Sequence, residues 1–80
     1  MSDAELNRLR WRCQRGMLEL DHVLRGFLDT GYLDAPSEIR HAFESLLAMD
    51  DADILDLIMG RLPVPPGELA RLLDLLRRTA

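Results

Sequence analysis

An all-α fold, a compact bundle of about five short helices, is what this sequence predicts. Two observations carry that reading. Apolar residues recur at three- and four-residue spacing in successive stretches separated by Gly, Pro and Asp, and no stretch alternates apolar with polar in the manner of a strand. At 80 residues the chain suits one domain, spanning 1–80, and is too short for two.

The elements follow in order. "SDAE" sets Ser2 three residues ahead of Glu5, a capping-box pattern that starts a first helix near Asp3 and carries it to about Cys13, with Leu6, Leu9 and Cys13 on one side. A second helix runs from about Met17 to Thr30 on Met17, Leu20, Leu24, Phe27 and Leu28, and Gly31 suits its carboxyl-terminal cap. After "YLDAP", Asp34 is placed to cap a third helix with Pro36 in its first turn and Ile39, Ala42, Phe43, Leu46 and Leu47 on its apolar face. Asp50 or Asp51 caps a short fourth helix carrying Ile54, Leu55, Leu57 and Ile58 and stopping at Gly60. The prolines of "RLPVPP" cannot continue a helix and make a rigid connector to a fifth, which starts near Pro66 and presents Leu69, Leu72, Leu73 and Leu76. Arg77 and Arg78 fall at its carboxyl end, where the macrodipole favours positive charge. Each stripe is wide enough for a core face and leaves little for a cofactor box.

Size and charge narrow the function. A domain this small buries roughly 60% of its unfolded surface, so a deep catalytic site is hard to accommodate and function belongs at the surface. The composition, 48% hydrophobic and 30% charged with net charge −4, is that of a folded globular chain. No run approaches the roughly 18 apolar residues of a membrane span. Asp3 and Glu5 near the amino terminus argue against a secretory signal or transit peptide, so a cytoplasmic protein is expected. Arg8, Arg10, Arg12, Arg15 and Arg25 crowd the first third of the chain, while Arg40 alone stands among the acids from Asp29 to Asp56. The acidic total disfavours nucleic acid as a partner.

Candidate chemical groups are few. Glu19 and His22 are spaced to share a helical face, yet no nucleophile or phosphate-cradling loop accompanies them, and His41 has no second ligand at metal spacing. Catalytic and metal-binding residues are therefore assigned as none. Cys13 reads as a small core residue, although nearby arginines would lower its pKa, and Trp11 is placed where plain packing is the simpler reading. Gly16 is the anomaly. In a helix interior it costs about 0.5–1 kcal/mol relative to alanine, so either the helix breaks there or something must come close.

The residues around it are specific. "W-x-C-x-R-G-M-x-E-L-D" over Trp11–Asp21, then Phe27 and Tyr32, "F-E-S-L-L-A-M-D-D-A-D", "L-I-M" and a proline-rich hinge before a final helix cover nearly the whole chain. In this order the sequence resembles the flavinators of succinate dehydrogenase, whose mark is Arg-Gly-x-x-Glu. It departs at Gln14, where many bacterial members carry a second arginine, and at Leu57, where tryptophan is common. The resemblance implies a five-helix assembly factor, not an enzyme, that binds the flavoprotein subunit of succinate dehydrogenase or fumarate reductase and promotes covalent attachment of FAD to it. FAD is then the cofactor inserted into the partner and is not bound tightly by this chain. The implied partner-binding residues are Arg15, Gly16 and Glu19, with Trp11, Met17 and Asp21 as flanking contacts. Arg15 and Glu19 share one face if the second helix begins early enough, either as an ordinary intrahelical ion pair or as a surface for the partner. The same resemblance implies a bacterial cytoplasmic protein, a monomer when free, with no stable membrane association. Residue reading alone leaves two alternatives, a small helical nucleic-acid-binding regulator and a self-associating interaction module. Under close approach at Gly16, Gly16→Arg abolishes partner binding with the melting temperature nearly unchanged. If Gly16 is only structural, Gly16→Ala stabilises a helical site and destabilises one of positive φ.

Overall fold

A computed structural model describes residues 2–79 and shows five helices in the predicted order: α1 (Asp3–Arg12), α2 (Leu18–Thr30), α3 (Ser37–Leu47), α4 (Asp51–Ile58) and α5 (Glu68–Thr79). Among the described residues there is no strand. Ser2 caps α1 as expected, its hydroxyl oxygen accepting from the Glu5 N–H at 3.2 Å. The Glu5 carboxylate accepts from the Ser2 hydroxyl at 3.2 Å, where a full capping box would use the Ser2 backbone N–H. α4 ends as a Schellman turn, with Gly60 at φ +77°, its N–H donating to Leu57 O and the Arg61 N–H donating to Asp56 O at 2.8 Å.

Two boundaries, the starts of α3 and α5, differ from expectation for local physical reasons. Asp34 does not cap α3. Residues 31–34 form a turn in which the Ala35 N–H donates to Tyr32 O, Pro36 is extended at ψ 155° and takes the N-cap position, and the helix starts at Ser37. Pro36 thus precedes the first turn and does not lie within it, and its carbonyl accepts from Ile39 and Arg40. Gly31 caps the carboxyl end of α2 as expected, though without a left-handed φ, at −131°. A Cβ there would lie 3.2 Å from the Phe27 ring, so a larger residue would have to push the ring aside by a few tenths of an ångström. α5 begins at Glu68, after Gly67 at φ +152°.

The core forms where the stripes meet. α5 packs against α2, α3 and α4, and its Leu72, Leu73 and Leu76 are fully buried. Phe27, Tyr32 and Phe43 join the same core in edge-to-face and tilted contacts, with ring centroids 5.1 to 6.5 Å apart. Each such leucine contributes about 1.5–3 kcal/mol by leaving water. Leu9 and Cys13 bring α1 to the core, and Leu6 and Met17 pack at its edge. Arg77 does not merely sit at the end of its own helix. Its Nε and Nη2 donate at 2.9 Å to Ile58 O and Leu57 O, the last carbonyls of α4. Trp11 departs from the packing expected of it and stands 73% exposed.

Candidate functional site

The α1–α2 junction, residues 13–17, answers the question Gly16 raised. The helix does break. Gly16 lies at φ +79°, a left-handed conformation that costs an L-residue roughly 1–2 kcal/mol, and a Cβ built on it meets nothing within 4 Å. The backbone therefore requires glycine, and the side where a side chain would stand is bare surface.

Arg15, next to it, faces inward. Its Nε donates to Asp51 Oδ1 at 2.6 Å, Nη1 to Arg12 O at 3.0 Å and Leu47 O at 2.8 Å, and Nη2 to Met49 O at 2.6 Å. The Asp51 contact is a salt bridge in which the arginine side chain is only 15% exposed. One planar fork thus ties the junction to the α3–α4 turn, a geometry that lysine could not reproduce. Arg12 adds a parallel tie, Nη2 donating to Glu44 O at 3.1 Å. The Arg15 backbone N–H donates to Asp21 Oδ1 at 2.8 Å.

Because α2 begins only at Leu18, Arg15 is not on the helix and does not share a face with Glu19. Glu19 stands exposed in the first turn of α2, where an acid is favoured by the helix dipole. Beside it, Leu18 is 87% exposed, and Leu18, Glu19, His22 and Val23 line a shallow depression. Trp11 and Leu18 thus present apolar surface at the two helix ends that flank the junction. Met17 is half-buried against the core, and His41 is exposed on α3.

Cys13 lies beneath the junction, buried, and its thiol is pushed up from 9.0 to about 11. Burial is the largest cause and the Asp29 carboxylate the next; Arg15 and Arg12 pull the other way and are outweighed. The thiol is thus held protonated and inert at neutral pH, against the lowering that its arginine neighbours suggested. Among the described residues no group of three or more His, Cys, Asp and Glu side chains is placed to hold a metal ion, and no helix is long and apolar enough to cross a membrane.

Two features of this surface escaped the sequence reading. Leu18 lies off the Leu20–Leu24–Phe27–Leu28 stripe, a visible sign that it would point outward. Asp51, assigned only as a possible cap, is the acid that receives Arg15, and nothing local signals a contact 36 residues away.

Comparison with known proteins gives the family of the chain. A family model described as flavinator of succinate dehydrogenase matches residues 7–80. Proteins named FAD assembly factor SdhE are similar along the chain. That of Shewanella oneidensis is 40% identical over 80 residues, covering 100% of this chain and 98% of the relative. That of Legionella pneumophila is 37% identical over 78 residues, 96% of each chain. That of Methylococcus capsulatus is 42% identical over 57 residues, 71% of this chain and 69% of the relative. No solved structure matches.

Proposed function

The chain belongs to the family of flavinators of succinate dehydrogenase, and on that premise we propose that it binds the flavoprotein subunit of succinate dehydrogenase or of fumarate reductase and promotes covalent attachment of FAD to that subunit. The observation that supports a docking role most directly is the bare, left-handed Gly16 at an exposed junction flanked by Trp11, Leu18 and Glu19. A partner backbone can approach Gly16 without meeting a side chain, the exposed indole and leucine supply apolar contact, and Glu19 supplies a charged acceptor. Arg15 contributes from within, by holding the junction.

The role is that of an assembly chaperone and not of an enzyme. FAD attachment needs the flavin, the acceptor side chain and charge-stabilising groups in register, and all of these belong to the partner and the cofactor. The chain lends binding energy to the partner conformation in which they are aligned, and a ligand shifts an equilibrium only by its differential affinity for the two states. In this reading FAD is inserted into the partner and is not held tightly by this chain. The setting we assign is the bacterial cytoplasm, with the free protein a monomer that meets its client before membrane assembly.

Co-expression of the client flavoprotein with the wild-type chain, Gly16→Arg or Glu19→Ala tests this, with covalent flavin read by in-gel fluorescence and the complex by pull-down. Wild type raises covalent flavin; both variants fall to the level seen without the factor while remaining folded. Covalent flavin that is indifferent to the wild-type chain would overturn the assignment.

A further inference from the structure

We propose that Asp21 is a positioning residue for client docking: its carboxylate holds the Arg15 N–H, sets the backbone ahead of Gly16 and shapes the docking surface without itself touching the client. The proposal rests on the docking role assigned above. Asp21 belongs to the first turn of α2, where its own N–H donates to Met17 O at 2.8 Å, so its side chain stands on a helical platform. From there Oδ1 reaches back six residues, over the junction, to accept the Arg15 N–H at 2.8 Å. Asp21 is half-buried and the bond to the Arg15 N–H is partly buried, which limits competition from water.

Arg15 is thereby held at both ends. The guanidinium is fixed on Asp51 and on the carbonyls of Leu47 and Met49, and the backbone is fixed on Asp21. The next residue is Gly16, which populates either sign of φ with similar ease when nothing restrains it. The Asp21 bond supplies restraint on one side and the start of α2 supplies it on the other. Without it, the one or two residues around Gly16 must be ordered at the moment of docking, which weakens binding roughly five- to thirty-fold. Within Arg-Gly-x-x-Glu and its flanks the roles then separate: Arg15 and Asp21 hold, while Gly16 and Glu19 meet the partner.

Asp21→Asn and Asp21→Ala separate holding from touching, because asparagine keeps the Oδ1 acceptor and loses the charge, whereas alanine loses both. Three quantities are measured on each folded variant: amide hydrogen exchange at Arg15, the melting temperature, and affinity for the purified client flavoprotein. Asp21→Asn should keep slow exchange at Arg15 and bind within about threefold of wild type. Asp21→Ala should exchange faster at Arg15 and bind roughly five- to thirty-fold more weakly at a temperature where it is fully folded. Asp21→Asn that binds as poorly as Asp21→Ala while keeping slow exchange would show a direct charge contact and overturn the proposal, as would Asp21→Ala that binds like wild type. A wild-type chain that fails to bind the client removes the docking role and this proposal with it, a result recognisable because it precedes any variant.

Discussion

Replacing Gly16 by alanine and, separately, by arginine separates backbone demand from surface demand. Both substitutions place an L-residue at φ +79°, at a cost of roughly 1–2 kcal/mol, and both reduce the freedom of the unfolded chain, which returns about 0.4–1 kcal/mol. The Cβ enters open space, so no clash is added. The net is a destabilisation of about 1 kcal/mol for each, a fall of roughly 4–8 °C in melting temperature for a domain of this size. This amends the expectation that Gly16→Arg leaves melting unchanged, because positive φ penalises any side chain. Docking should divide the pair: alanine adds one methyl to the bare surface and keeps partial flavin yield, while arginine covers it and abolishes the yield. Thermal melts by circular dichroism and covalent flavin on the same preparations give both quantities. A higher melting temperature for Gly16→Ala would refute the left-handed junction, and equal flavin loss in the two variants would refute close approach.

Two further outcomes follow from buried neighbours. Arg15→Ala should destabilise by about 2–3 kcal/mol in urea denaturation, since charge-assisted donors leave Asp51 and the Leu47 and Met49 carbonyls together, and Arg15→Lys should recover less than half of it; a loss under about 0.5 kcal/mol would show that water replaces the fork freely. The Cys13 thiol, ordinarily near 9.0 and held at about 11 in the fold, ionises first in the unfolded chain, so stability is full below pH 9 and falls as pH rises toward 11. Cys13→Ala should flatten that part of the pH profile; an unchanged slope would place its origin elsewhere, Tyr32 being the other raised group through burial and Glu44.

What spacing alone could tell is instructive at particular residues. Leu24, Phe43, Leu72 and Leu76 are buried because each helix has one apolar side, and periodicity reports that directly. Asp34 misled because an acid before Ala-Pro has the chemistry of a cap, while the tight turn after Gly31 decides where α3 can start. The helical register of Trp11 reads as one that allows packing, but the residue is two beyond Leu9 and points away from the side that Leu6, Leu9 and Cys13 share, which leaves it exposed. Arg15 and Arg77 were legible as cations and not as struts, because the carbonyls they reach on α3, on α4 and in the turn between them are distant in sequence. The motif around Gly16 could be recognised, but its division between inward and outward residues depends on the break before Leu18, which a residue pattern does not encode.

The way α5 supplies the centre of the core also bears on how the chain is born. Until Leu72, Leu73 and Leu76 have emerged, the faces of α2, α3 and α4 that they cover have no apolar partner. At about 5–20 residues per second, the stretch from Gly60 to the end of α5 takes roughly one to four seconds to be made, and the seam stays open until α5 has left the ribosome. The hinge of prolines shortens the search at its end, because it delivers α5 on a stiff lead and not on a floppy one. Folding is therefore deferred and then abrupt: the seam of α2, α3 and α4 closes only once the chain is free to lay α5 onto it.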